Sequence, residues 1–294
     1  MIKTEITGIG DPFILRCGKG YYLYATDAPD GFKCFYSENL VDWRCKGYCY
    51  RGTWGDGSFW APEVYRRGDK YMLLFTARQK STRSLRIGLA FSDSPEGPFT
   101  DSGEGPLFDF GYAAIDATAF FDDDGKAYMY YSRDCSENIV DGRHTSVIYG
   151  MEVDPDALTP LSEPIVVSAP DLQWEFKSGD WRWNEGPAVI KRGGIYYLNY
   201  SANCYSTRDY SVGCSQAESP LGPFVKYAEP ILVYRENEFS GPGHNHFFTD
   251  PDGKLYTTFH IHTDYDRPSG NRRACIAPVV FGPDGKMIID VDGE

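Results

Sequence analysis

The hydrophobic positions of this chain come in short runs, each opened by a polar or small residue and broken by turns rich in Gly and Asp. Five segments share one pattern: an entry residue, an apolar stretch, a turn, then a tyrosine-bearing strand. They start at Asp11, Ala61, Asp116, Glu185 and His244 and reach Tyr21, Tyr71, Tyr128, Tyr196 and Tyr256. The intervals are 10, 10, 12, 11 and 12 residues, so only the turn length varies. Each segment reads as two strands joined by a Gly-bearing hairpin. A second half follows each one. Ile87 to Ser92 leads into Ser94-Pro-Glu-Gly-Pro-Phe99, and Val212 to Ala217 leads into Ser219-Pro-Leu-Gly-Pro-Phe224. Weaker copies run from Phe35 to Trp43, Val147 to Pro155 and Cys275 to Pro283.

Each unit is therefore about four strands, and five units fill the chain. Recurrence of whole four-strand units points to radial repetition about an axis. The expected fold is all-β: one domain over residues 1–294, a five-bladed β-propeller with four-stranded blades around a central channel. The blades are expected near 10–50, 60–108, 115–167, 184–232 and 243–291, with residues 1–9 as an edge strand that closes the ring. A β-sandwich has similar strand spacing but does not explain the recurrence.

Composition agrees. The chain holds 31 Gly, 19 Pro, 22 Tyr and 18 Phe, a strand-and-turn usage. Its 42 acidic and 29 basic residues give a net charge of −13, which repels phosphate backbones and anionic lipid. No nucleic-acid or membrane partner is expected. Met1 to Glu5 shows no apolar signal core, which suggests a cytoplasmic chain. The eight cysteines are scattered, with Cys45 and Cys49 the near pair, so neither a zinc site nor a disulfide framework is required.

In such a ring the first strand of each blade lines the channel, so the five entry residues converge. Three of them are carboxylates and one is a histidine. Acids facing one axis repel each other unless one is protonated or bridged, and such arrangements belong to working sites. Separated carboxylates in opposite protonation states are what glycoside cleavage needs: an acid for the leaving oxygen and a base for water.

The segments Gly10-Asp11-Pro12-Phe13, Trp60-Ala61-Pro62-Glu63, Ile115-Asp116-Ala117-Thr118, Asn184-Glu185-Gly186-Pro187 and Gly241-Pro242-Gly243-His244-Asn245 stand one per unit and in order. On these the chain resembles glycoside hydrolase family 43, nearly end to end. The resemblance implies an inverting propeller enzyme acting on arabinose- or xylose-containing plant glycans. It implies Asp11 as general base, Asp116 as the acid that orients the proton donor and tunes its pKa, and Glu185 as general acid. It also implies that Arg272, with Arg273 beside it, reaches the −1 sugar. No cofactor is required; His244 resembles an axial histidine that often holds a water-coordinated calcium, and the alternative is a histidine satisfied by backbone or water.

The residues themselves add to this. Glu185 follows Trp181, Trp183 and Asn184, and apolar neighbours raise a carboxyl pKa. Trp60 is the first candidate for stacking on a sugar face, and Phe32, Trp54, Phe59, Tyr112 and Trp181 are expected in loops near the same mouth. Glu63 reads as a packing acceptor, and His246, His260 and His262 as surface or packing residues. The expected activity is exo-acting release of arabinofuranose from short arabino-oligosaccharides. A β-xylosidase on xylo-oligosaccharides is the runner-up, and a sugar-binding propeller without turnover is the alternative from another class. Fructosidases and sialidases are disfavoured, because their Arg-Asp-Pro and Ser-x-Asp-x-Gly-x-Thr-Trp motifs do not occur.

Overall fold

The computed structural model describes residues 1–293 and is all-β. The only helical turn among them is a single 3-10 turn at Gln173–Glu175. Among the described residues no helix is long and apolar enough to cross a membrane.

Three sheets carry one repeat unit each, in sequence order. Trp60–Arg67, Lys70–Arg78, Leu85–Ser92 and Thr100–Asp101 form one. Ala114–Phe121, Ala127–Arg133, Val147–Val153 and Ile165–Ser168 form the next, and Asn184–Arg192, Ile195–Ala202, Ser211–Ala217 and Val225–Lys226 the third. The first and last units share an eight-stranded sheet, joined by the long strand Ile2–Cys17. Its first half pairs with Arg272–Phe281 (Ile2 opposite Ile276, Ile9 opposite Arg272). Its second half pairs with Gly20–Thr26. Residues 2–9 thus add an outer strand to the last unit, as the sequence suggested, and stitch the two chain ends together. A fifth, three-stranded sheet stands apart from the repeats: Ile139–Val140, Arg143–Thr145 and Trp181–Arg182.

The five first strands touch one another in a closed cycle: Ile2–Cys17, Trp60–Arg67, Ala114–Phe121, Asn184–Arg192, Gly243–Thr249, then back to the start. The apolar cores lie between successive sheets. Tyr24, Phe32, Val64 and Phe75 fill the gap between the first two units, and Leu74, Ile87, Met129 and Tyr131 the next. Burying each such side chain contributes about 1.5–3 kcal/mol, so the sheets are held face to face by side chains alternating along each strand.

Every first strand is broken at the same place. The register slips between Gly10 and Phe13, Trp60 and Glu63, Glu185 and Ala188, and Gly243 and His246, with the matching slip in the third unit opposite Tyr130 and Ser132. The residue at each slip is left-handed: Asp11 (φ 53°), Ala61 (46°), Asp116 (56°), Gly186 (54°) and His244 (50°). Four of these are not glycine, and such residues cost on the order of 1 kcal/mol or more each. Bulges of this kind re-aim side chains beside functional sites.

These bulges correct one alignment. The sequence pattern sets Glu185 level with Asp11, but the structure gives that level to Gly186 and places Glu185 one residue earlier, with Gly10, Trp60, Ile115 and Gly243. Counted from Gly186 to Tyr196 the interval is 10, matching the first two units; the two intervals of 12 belong to the longer Asp-rich turns. Backbone bonds between units support this register. The N–H of Ala61 donates to Thr26 Oγ1 (2.9 Å), that of Asp116 to Thr76 Oγ1 (3.0 Å), that of His244 to Ser201 Oγ (2.7 Å) and that of Asp11 to His260 Nδ1 (3.2 Å).

Candidate active site

The bulge residues and those just before them open on one cavity of about 310 Å³. Asp11, Asp116, Glu185, His244, Trp60 and Arg272 all line it. Residues 174 positions apart in the chain, Asp11 and Glu185, therefore face the same hollow.

Asp11 is tied down from both oxygens. Arg272 Nη1 donates to Oδ1 at 3.0 Å and Thr26 Oγ1 to Oδ2 at 2.6 Å. Burial alone would raise its pKa, but the Arg272 guanidinium first, then the imidazoles of His244 and His260 and the Thr26 hydroxyl, hold the carboxyl well below the usual carboxylate range. His244 and His260 also face it, at 3.4 and 3.6 Å. Burial pushes both imidazoles down, so they stay neutral at pH 7 and Arg272 is the cation that matters. Gly10 explains how Arg272 gets there: a Cβ at this position would lie 2.0 Å from Nη2, so the bare backbone is the bed of the guanidinium.

Glu185 sits in the opposite environment. Burial pushes its pKa up to about 8, with the charges of Asp134 and Asp11 adding and the Tyr210 hydroxyl opposing. That hydroxyl donates to Oε1 at 2.9 Å. Tyr210 is seated by another glycine, since a Cβ on Gly243 would lie 2.1 Å from its ring, and it stacks parallel to His260 (5.5 Å, 1°). Asp116 is also raised, by burial first and then by Glu185, Asp11 and Asp134. Asp11, Asp116 and Glu185 thus share the cavity with one permanent cation, which holds Asp11 ionised, while burial favours the protonated form of the other two. Asp11 is ionised and Glu185 is protonated, which is the division that acid–base cleavage requires.

Strand Asn184–Arg192, which carries Glu185, is pinned from behind. Asn184 is fully buried, accepting from Ser168 Oγ (2.7 Å) and from Lys226 Nζ (2.9 Å). Lys226 also binds the buried Glu175 at 2.8 Å. Sequence reading did not foresee this group.

The other expected residues divide. Trp60, 36% exposed, lines the cavity. Arg272, not Arg273, reaches it. Phe32 does not: it is fully buried against Tyr50, Phe59 and Phe75, because its strand faces inward between two sheets. Trp54 and Phe59 belong to the same cluster. Tyr112 also stays outside the cavity, sharing a hydroxyl–hydroxyl bond with Tyr131 (2.7 Å) under the Arg133 guanidinium. His246 and His262 have packing roles, whereas His260, also expected at the surface or in packing, faces Asp11 and accepts its backbone N–H. His246 lies against Phe13 (4.2 Å), and His262 bonds Ser240 Oγ and the Tyr205 carbonyl, both at 2.9 Å. His244 lines the cavity, but among the described residues no three His, Cys, Asp or Glu side chains are grouped to hold a metal ion. One imidazole facing a carboxylate already held by arginine does not fit a protein-held calcium, which prefers oxygen donors.

Asp134, Tyr205, Tyr210, Trp183 and Cys204 were not singled out from sequence as site residues, yet they line the cavity. Asp134 and Cys204 follow the second strands of their units. Antiparallel pairing returns that end beside the entry of the first strand, and this signal was available in the repeat itself.

The chain matches Glycosyl hydrolases family 43 over residues 7–287. It is 27% identical to "Beta-D-galactofuranosidase xynD" of Aspergillus niger, over 95% of this chain and 81% of that one. It is 28% identical to "Extracellular exo-alpha-(1->5)-L-arabinofuranosidase" of Streptomyces avermitilis, over 94% of this chain and 60% of that longer one. Among solved structures it is similar to a thermostable family-43 glycoside hydrolase, with a TM-score of 0.95 and 45% identity, covering 99% of this chain and 95% of the other. With the buried carboxylates and single arginine of its cavity and this match across nearly its whole length, the chain belongs to glycosyl hydrolase family 43.

Proposed function

We propose that the chain is an inverting, exo-acting α-L-arabinofuranosidase that trims short arabino-oligosaccharides, built as one five-bladed propeller around this cavity. The observation that carries the reading is the pair of carboxylates in one hollow with opposite protonation, Asp11 held ionised by Arg272 and Glu185 held protonated by burial. Asp11 takes the proton of a water as that water attacks the anomeric carbon, and Glu185 gives its proton to the leaving oxygen. Asp116 orients Glu185; Arg272 fixes Asp11 and meets the −1 sugar; Trp60 stacks on a ring face. The propeller reading is supported by the closed cycle of five first strands and by their common bulge. The furanoside reading is supported by the names of the two curated relatives.

A panel of nitrophenyl pentosides with arabino- and xylo-oligosaccharides, product anomers followed by NMR, tests this. Release of arabinose with inverted configuration is expected. Retained configuration overturns the inverting mechanism, turnover of xylosides alone replaces the sugar, and binding without turnover reduces the chain to a sugar-binding propeller.

A further inference from the structure

The three-stranded sheet outside the repeats has no part in the core. Its first two strands come from residues 134–146, the longest link between second and third strands in any unit. Their apolar residues Ile139 and Val140 are exposed. Strand Arg143–Thr145 takes Trp181–Arg182 as a parallel partner, His144 opposite Trp181. That register stacks the His144 imidazole on Trp181, centroids 4.0 Å apart and planes within 5°. His144 Nδ1 meets the Cys135 carbonyl at 2.9 Å, which fixes the ring. Trp181 stacks in turn on Trp183 at 6.0 Å and 19°, and still leaves 41% of its surface exposed. The sheet holds an aromatic row at the rim and buries little else.

Trp181 and Trp183 line a groove of about 470 Å³ with Lys177, Thr207 and Asp209 along its edge. Flat indoles beside charged and hydroxyl groups match a sugar ring, which has apolar faces and a hydroxyl rim. The groove is continuous with the catalytic cavity, since Trp183 and Cys204 line both. Its side is set by the strand. Trp183 lies two residues before Glu185, and both line the cavity. Glu185 protonates the leaving oxygen, so the groove extends on the leaving-group side of the scissile bond.

We propose that this groove binds the leaving-group end of an oligosaccharide, with the second ring beyond the scissile bond stacked on Trp181, so that chains of three or more pentoses are favoured over aryl glycosides. This rests on the reading as a glycoside hydrolase. The test compares Trp181→Ala with the unmodified chain on arabinotriose, xylotriose and a nitrophenyl pentoside, and measures arabinotriose and xylotriose binding by calorimetry in the Glu185→Gln background. A lost stacking contact predicts a loss in kcat/KM about five- to tenfold larger on the trisaccharide than on the nitrophenyl pentoside, carried mainly by KM, with Kd weakened by the same factor. Trp181→Phe restores most of it, and His144→Ala, which removes the backing of the indole, gives a smaller loss of the same kind. Equal losses on both substrates, or a Kd that ignores Trp181, overturn the proposal. If the unmodified chain cleaves no pentoside but its Kd depends on Trp181, the groove stands and the hydrolase reading falls.

Discussion

The alkaline limb of activity measures the environment of Glu185. With its pKa near 8, Glu185 is about 90% protonated at pH 7 and about 10% at pH 9. On an arabino-oligosaccharide, whose leaving group needs a proton, kcat/KM should fall about tenfold between those values. Tyr210→Phe removes the one hydroxyl that donates to Glu185, at 2.9 Å, and so favours the protonated form. Hydrogen bonds to a charged group are worth about 1.5–3 kcal/mol, and partial replacement by water leaves an upward shift of about one pH unit. The assay is kcat/KM against pH for both proteins on arabinotriose and on a dinitrophenyl arabinofuranoside, whose leaving group needs no proton. The limb should move up in the variant on the first substrate and be absent for both proteins on the second. A limb that stays in place or moves down in Tyr210→Phe, or one that survives Glu185→Gln, refutes the assignment of the acid.

A second buried glutamate should register in stability rather than rate. Burial pushes Glu63 up to about 8 and holds its neighbour His246, 3.9 Å away, down to about 3, so both are neutral at pH 7. A carboxyl with a raised folded pKa stabilises fully below its unfolded value near 4.5 and loses that contribution as pH rises toward 8; Glu63→Gln should therefore flatten the fall in stability between pH 5 and 8 by on the order of 2–4 kcal/mol, read from urea unfolding at each pH. Gly10→Ala sets a methyl into the guanidinium of Arg272 and should lower kcat/KM about a hundredfold, the cost of misplacing a group by about 1 Å, with the thermal midpoint little changed. Lys226→Met strands the buried Glu175 carboxylate and should cost about 3–5 kcal/mol in urea unfolding.

Much of the fold was legible because it is repetitive. Five tyrosine-bearing hairpins at nearly constant spacing carry the same information five times, and they led to Asp11, Asp116 and Glu185 at one mouth. What escaped has physical causes. Phe32 and Tyr112 were placed by their proximity to loops, but facing is decided by strand parity and by the neighbouring sheet, which the spacing of a single unit does not report. Tyr210 and Arg272 reach the cavity only because Gly243 and Gly10 leave room, a pairwise fact between residues 33 and 262 positions apart. The buried Lys226–Glu175–Asn184 group joins three segments, and neither Lys226 nor Glu175 lies in a motif.

The one-residue offset of Glu185 bears on how the acids divide their work. Asp11 occupies a bulge at the seam where the two ends of the chain pair, and the last unit delivers Arg272 there, opposite Ile9. Glu185 lies ahead of its bulge, away from that seam, and finds Tyr210 instead of a cation. With Gly186 taking the left-handed conformation, the acid is spared the strained position. The ring brings similar carboxyl groups together, and its single seam supplies one arginine. The acid that meets the arginine is held ionised; the acid that does not keeps its proton. Moving the cation, not the carboxylates, is therefore the change that would exchange their protonation states.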